Sequence, residues 1–115
     1  MLGLQMILIQ IAVTGGTPSS EVVSAIRRIT GWPIAKIVEA IRSEEPIYEK
    51  DFLARPRETV FAEMRQLLDV IEECFLRLRV SENGREISAE ILRNMMRSSE
   101  ESARHLRELD ELGHS

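Results

Sequence analysis

Hydrophobic residues change their spacing several times along this 115-residue chain, and each change marks an element. Ile7, Ile9, Ile11 and Val13 alternate with Gln10 and Ala12, the period of two expected of a strand with one strongly buried face. Gly15-Gly16 ends that pattern. Thr17 then offers an N-cap oxygen, Pro18 suits a first helical position, and Glu21 falls in the first turn, where the helix dipole favours an acid. Val22, Ile26 and Ile29 recur at helical spacing as far as Thr30-Gly31. Ile34, Ile37 and Ile41 repeat that spacing after Pro33, toward Ser43. Residues 25–41 therefore predict two short amphipathic helices folded on one another through the Thr30-Gly31 turn.

Glu44-Glu45-Pro46 stops the second helix, and residues 47–52 read as a short strand or an extended loop. Arg55-Pro56 is another break. From about Glu58 a third helix gathers Val60, Met64, Leu67, Leu68 and Ile71 on one face. Residues 75–80 form a strand, with Leu76, Leu78 and Val80 on one side and Arg77 and Arg79 on the other. Ser81-Glu82-Asn83-Gly84 is a turn signal. Beyond it a helix is predicted from near Glu86 to Leu112, stopped by Gly113 and about 40 Å long if unbroken. The expected fold is α+β, in the order β-α-α-β-α-β. A small three-stranded sheet is covered by helices, and a long C-terminal helix is added. The expected division is 1–82 for the α+β domain and 83–115 for the helical extension.

That last helix is longer than so small a domain needs. Its apolar stripe thins in the middle to Ser98, Ser99, Ser102 and Ala103. Either its first turns pack on the domain and its end frays, or it pairs with a second copy. Pairing would use Leu92, Met95, Met96, Ser99, Ala103 and Leu106, and would make the chain a homo-oligomer.

Composition narrows the function. A net charge of −4 argues against nucleic-acid binding, which needs a clustered positive surplus. One cysteine, Cys74, excludes an intramolecular disulfide, fits a reducing cytoplasm, and reads as a small buried apolar residue. The N-terminal apolar run has no cation before Arg27 and is shorter than the roughly 20 residues a membrane helix requires, so neither a signal peptide nor a membrane partner is expected. His105 and His114 lack further ligands at metal-binding spacing, and no Ser/His/Asp or Cys/His set is present to anchor catalysis. Gly15-Gly16-Thr17 lacks the Lys-Ser/Thr of a P-loop and reads as a strand-to-helix turn. The expectation is a protein without catalytic residues, metal or cofactor.

The candidate site is the hairpin itself. Arg27 and Arg28 cannot both face the core from adjacent helical positions, and Lys36 lies across the turn. Two readings stay open. These cations contact an acidic partner surface, or they are a solvated face pairing with Glu21 or Glu39 for about 0–1 kcal/mol. Trp32 at the turn is either a binding hot spot or a cap on the core.

The order of elements, the AIRRITG lead-in and the Thr30-Gly31 turn resemble the C-terminal domain of the large-subunit ribosomal stalk protein, the L-seven/L-twelve family. The N-degron adaptor of the Clp protease belongs to the same superfamily. The resemblance covers roughly residues 7–80 and is sharpest over 22–41. It implies a docking face on the first two helices that recruits translational GTPases, with Arg27 at the position of the family's arginine. Ser24 and Val38 stand where that family carries lysines, and Pro33 replaces a glycine. Thr17-Pro18 resembles the adaptor's helix start, whereas Gly15-Gly16 replaces the acidic pair that binds a free α-amino group. The expected function is a cytoplasmic, non-catalytic protein–protein interaction module. It docks an acidic surface through Arg27, Arg28, Trp32 and Lys36, with a translation-linked factor as the implied partner. The alternative is a self-assembling structural protein of phage or bacterial origin that works through its C-terminal helix.

Overall fold

The computed structural model describes residues 6–113; the first five residues and the last two, His114 among them, lie outside the described residues. Eight elements follow one another: β1 (Leu8–Gly15), α1 (Ser20–Thr30), α2 (Ile34–Arg42), β2 (Pro46–Asp51), α3 (Arg57–Glu73), β3 (Arg77–Glu82), β4 (Arg85–Ile87) and α4 (Ala89–Gly113). The fold is α+β, as the spacing predicts. Its sheet has the order β2-β1-β3-β4 and is antiparallel throughout. β1 lies between β2 and β3, with Ile11 opposite both Tyr48 and Val80. Its alternate residues Ile9, Ile11 and Val13 are buried beneath the helices. On the other face Gln10 sits opposite Glu49 and Ser81, and its amide donates to the Glu49 carboxylate at 2.7 Å.

The sheet has four strands, so the expected three is corrected. Asn83 and Gly84 both take positive φ, 52° and 84°, the conformation that closes a two-residue hairpin. That hairpin returns the chain as β4, paired to β3 from Val80 to Glu82. Three residues are too few to show an alternating pattern, which is why β4 cannot be read from spacing. The helix predicted from near Glu86 consequently starts at Ala89, where the Ser88 hydroxyl accepts the Ile91 N–H at 3.0 Å.

Two other boundaries move for local reasons. The N-cap of α1 is Ser19, not Thr17, because the Ser19 hydroxyl is the one that accepts a first-turn N–H, that of Val22 at 3.3 Å. Before it, Gly16 takes φ 98°, and a Cβ there would come within 2.3 Å of the Leu76 side chain. β3 begins at Arg77 because Phe75 closes α3 in the left-handed region, φ 59°, donating to Glu72 while Leu76 donates to Ile71. Phe75 is thereby turned outward and is 92% exposed. The segment 47–52, for which spacing allows strand or loop, is strand up to Asp51: β2 begins one residue earlier, at Pro46.

One aliphatic core joins these layers. Val22 and Ile26 from α1, Ile37 and Ile41 from α2, and six residues of α3 meet Ile9, Ile11 and Val80. Phe52 and Phe61 pack at 5.0 Å between ring centroids. Leu92 and Met96 of α4 are fully buried in the same cluster. The Tyr48 hydroxyl donates to Glu63 of α3 at 2.8 Å, and burial pushes that phenol well above its ordinary range. Among the described residues, no buried side-chain nitrogen or oxygen lacks a partner.

Candidate partner-binding face on the first helical hairpin

The turn between α1 and α2 is built by three residues in succession. The Thr30 hydroxyl donates to the Ile26 carbonyl at 2.7 Å and accepts the Trp32 N–H at 3.1 Å. Gly31, at φ 73°, donates its N–H to the Arg27 carbonyl at 2.8 Å and ends α1. Pro33 then opens α2 with φ −61°, its carbonyl accepting the N–H groups of Lys36 and Ile37. This sequence of bonds reverses the chain within a few residues and leaves Trp32 at the apex.

Trp32 is half-buried and packs against the core cluster. Its outer face is covered by Lys36, whose Nζ lies 3.9 Å from the ring centroid, well inside the reach of a cation–π contact. One side of the ring caps the core, and the other carries the Lys36 ammonium at the surface.

Arg27 and Arg28 are exposed, but adjacent helical positions point about 100° apart, and the two arginines go to different surroundings. Arg28 lines a groove between α1 and α3 together with Glu21, Asp69 and Glu73. Arg27 is not among those lining residues and lies one turn before Gly31. Neither arginine, nor Lys36, makes an ion pair among the described residues. Of the two readings open for these cations, the pairing with Glu21 or Glu39 is not formed as an ion pair.

One residue that spacing assigns to the seam is not covered by it. Ile34 is 50% exposed. The signal is its place at the first position of α2, directly after Pro33, where a side chain can lie outside the seam that Ile37 and Ile41 bury. Further along α2, Val38 and Ile41 meet residues 14–18, Arg42 and Glu44 in an open cleft of about 430 Å³.

The residues expected to pair two chains divide sharply. Leu92 and Met96 fill this chain's own core, so they are not available to another copy in this fold. Met95 is partly buried against that core, Ser99 and Ala103 are half-buried, and Leu106 is exposed. Cys74 is half-buried at the end of α3, its sulfur 3.8 Å from the Ser19 hydroxyl and 3.9 Å from a Glu21 carboxylate oxygen.

Among the described residues there is no grouping of His, Cys, Asp and Glu that could hold a metal ion, and no helix is long and apolar enough to cross a membrane. The class the geometry defines is thus a four-stranded antiparallel α+β domain with an ordered helical hairpin. Comparison with protein-family models, with curated proteins and with solved structures finds no match to this chain.

Proposed function

We propose that this chain is a non-catalytic protein–protein interaction module that docks an acidic partner through the α1–α2 hairpin. The observation that supports this most directly is the Lys36–Trp32 pair. An ammonium held over an anchored indole is an ordered cationic surface, formed before any partner arrives. Its ordering cost on binding is correspondingly reduced. Arg27 supplies a second cation that makes no ion pair among the described residues, and exposed Ile34 supplies apolar area nearby in sequence. Arg28 stands at the margin, in surroundings made acidic by Glu21, Asp69 and Glu73. The resemblance to the ribosomal stalk domain points to a translation-linked factor as the partner, and the single cysteine fits a reducing, cytoplasmic setting.

Affinity capture from bacterial lysate, read by mass spectrometry, tests the reading. The Arg27→Glu, Lys36→Glu double variant is expected to lose a protein that the wild type retains, with capture weakening as salt rises. Arg28→Glu should reduce capture less. Identical captures from wild type and double variant would remove the hairpin from consideration.

A further inference from the structure

Two helices close by the same pattern of backbone bonds, and neither closes on glycine. α2 ends with Glu44 in the left-handed region, φ 57°, its N–H donating to the Ile41 carbonyl at 3.2 Å while Glu45 donates to Ala40 at 2.8 Å. α3 ends with Phe75 at φ 59°, its N–H donating to Glu72 at 3.0 Å while Leu76 donates to Ile71 at 3.1 Å. Glycine is the usual residue at this position, because a Cβ there is strained. Gly31, which ends α1 at φ 73°, follows that rule. A bulky side chain at such a φ is an outlier, and the Phe75 ring is in addition 92% exposed. Neither backbone preference nor burial within this chain accounts for a phenylalanine there. Strain of this kind is retained where a side chain meets a ligand.

Both helix ends meet the same segment, residues 14–18. Glu44 lines the open cleft of about 430 Å³ that this segment forms with the end of α2. Its carbonyl is held by the Arg79 guanidinium at 2.8 Å. Phe75 leads directly into Leu76 and Arg77, which pack against Gly16 and Gly15, two residues of the cleft wall. Arg42 lines the cleft itself. Arg42 and Arg77 are both exposed, and neither makes an ion pair among the described residues.

We propose that this end of the molecule is a second docking surface, and that it takes an acidic segment of a partner protein carrying one aliphatic residue. Charge names the occupant: Arg42 and Arg77 are two cations without a carboxylate, in a chain of net charge −4. Glu44, the one acid lining the cleft, keeps the segment's carboxylates at the rim. The residue that enters is therefore aliphatic, against Val38 and Ile41, while the segment covers Phe75. An exposed aromatic ring beside arginines is the composition of an interface anchor. The hairpin turn lies at the far end of α1, about 16 Å along the helix, so the two surfaces are separate.

Titration of the full chain with the acetylated, amidated pentapeptide Glu-Glu-Leu-Glu-Glu, at low salt and under reducing conditions, tests this through amide chemical shifts. Shifts should concentrate on residues 14–18, 42–44 and 75–77, with a Kd of about 1 mM or tighter. Arg42→Glu with Arg77→Glu should weaken binding at least about tenfold. Phe75→Gly should weaken it at least about fivefold and yet raise the urea midpoint, because glycine suits the left-handed position. No shifts at those residues with about 5 mM peptide overturn the proposal, as do equal shifts with Lys-Lys-Leu-Lys-Lys. A Phe75→Gly protein that binds as wild type does also. One that unfolds at lower urea does the same, since Phe75 would then serve the fold. The Arg27→Glu, Lys36→Glu variant should keep these shifts. Their loss would place the peptide on the hairpin and overturn this surface, so the two hypotheses fail separately.

Discussion

The α1–α2 hairpin and α4 carry the same kind of apolar periodicity, but their apolar stripes have different fates. In the hairpin, Val22, Ile26, Ile37 and Ile41 are covered by the sheet and by α3 of the same chain. In α4, Leu92 and Met96 receive that cover, and Leu106, Leu109 and Leu112 do not. Periodicity reports that a face is apolar, not what covers it. What separates the two cases is length relative to the body. α1 and α2 are short, 11 and 9 residues, and end at Gly31 and Ser43, whereas the 25-residue α4 continues past the start of α3.

The most direct way to break this comparison is to truncate one leucine in each half of α4. Leu92→Ala leaves a cavity in a closed core and should cost about 2–5 kcal/mol in urea unfolding. Leu106→Ala should stay within about 0.5 kcal/mol of wild type. Equal losses would mean that the exposed end of α4 is packed against its own body in solution, and the distinction between the two halves would collapse.

The comparison sharpens with pH, because Arg65–Glu100 lies close to the point where α4 leaves α3. The hydrogen bonds from the Arg65 guanidinium hold the Glu100 carboxyl below its ordinary value of 4.5. A carboxyl depressed by folding stabilises the native state above its unfolded pKa, and that contribution disappears as pH falls through the folded value. The pair is partly solvated, with 37% and 44% of the two side chains exposed, so its contribution is small. Glu100→Gln should therefore lower the urea midpoint slightly at pH 7, and the two midpoints should converge as the pH falls below the carboxyl's depressed folded value. A gap that persists in acid would show that the glutamine disturbs packing, and that the ion pair does not hold α4 to α3.

How much of this was legible in the sequence follows the same division. Elements whose apolar stripe is closed within one domain are largely readable: the faces of α1, α2 and α3 and the alternation of β1 follow the core, except that Ile34 is exposed, Ile7 and Ile29 are only partly buried, and Ala12 is buried out of step with the alternation. The two-residue hairpin was visible only as a turn, since Asn83-Gly84 signals a reversal but the returning strand is too short to display a period. Phe75 was assigned to a strand because aromatic and β-branched residues favour strands, and the closure of α3 in the left-handed region overrode that preference. At the candidate site, the sequence marked Arg27, Arg28, Trp32 and Lys36 as one group. Helical geometry then sent Arg28 toward Glu21 and Glu73, and paired Lys36 with Trp32. Adjacent residues on a helix do not share a face, so side-by-side arginines were never evidence of a common patch.

The smallest expected effect concerns the hairpin, and it decides whether that face is ordered before binding. Trp32 is the only tryptophan, so its fluorescence reports on this contact alone. Lys36→Met keeps an unbranched stem over the indole and removes the charge, whereas Lys36→Arg retains both. At an exposed site a cation–π contact contributes about 0.5–1 kcal/mol. A double-mutant cycle isolates it by combining Lys36→Met with Trp32→Leu and comparing the pair with each single change. A coupling of that size, with Lys36→Arg leaving stability and emission near wild type, would mean that the ammonium rests on the ring in the free protein. Zero coupling would mean that the side chain is solvated before binding. The hairpin would then have to order its cation at the moment of docking.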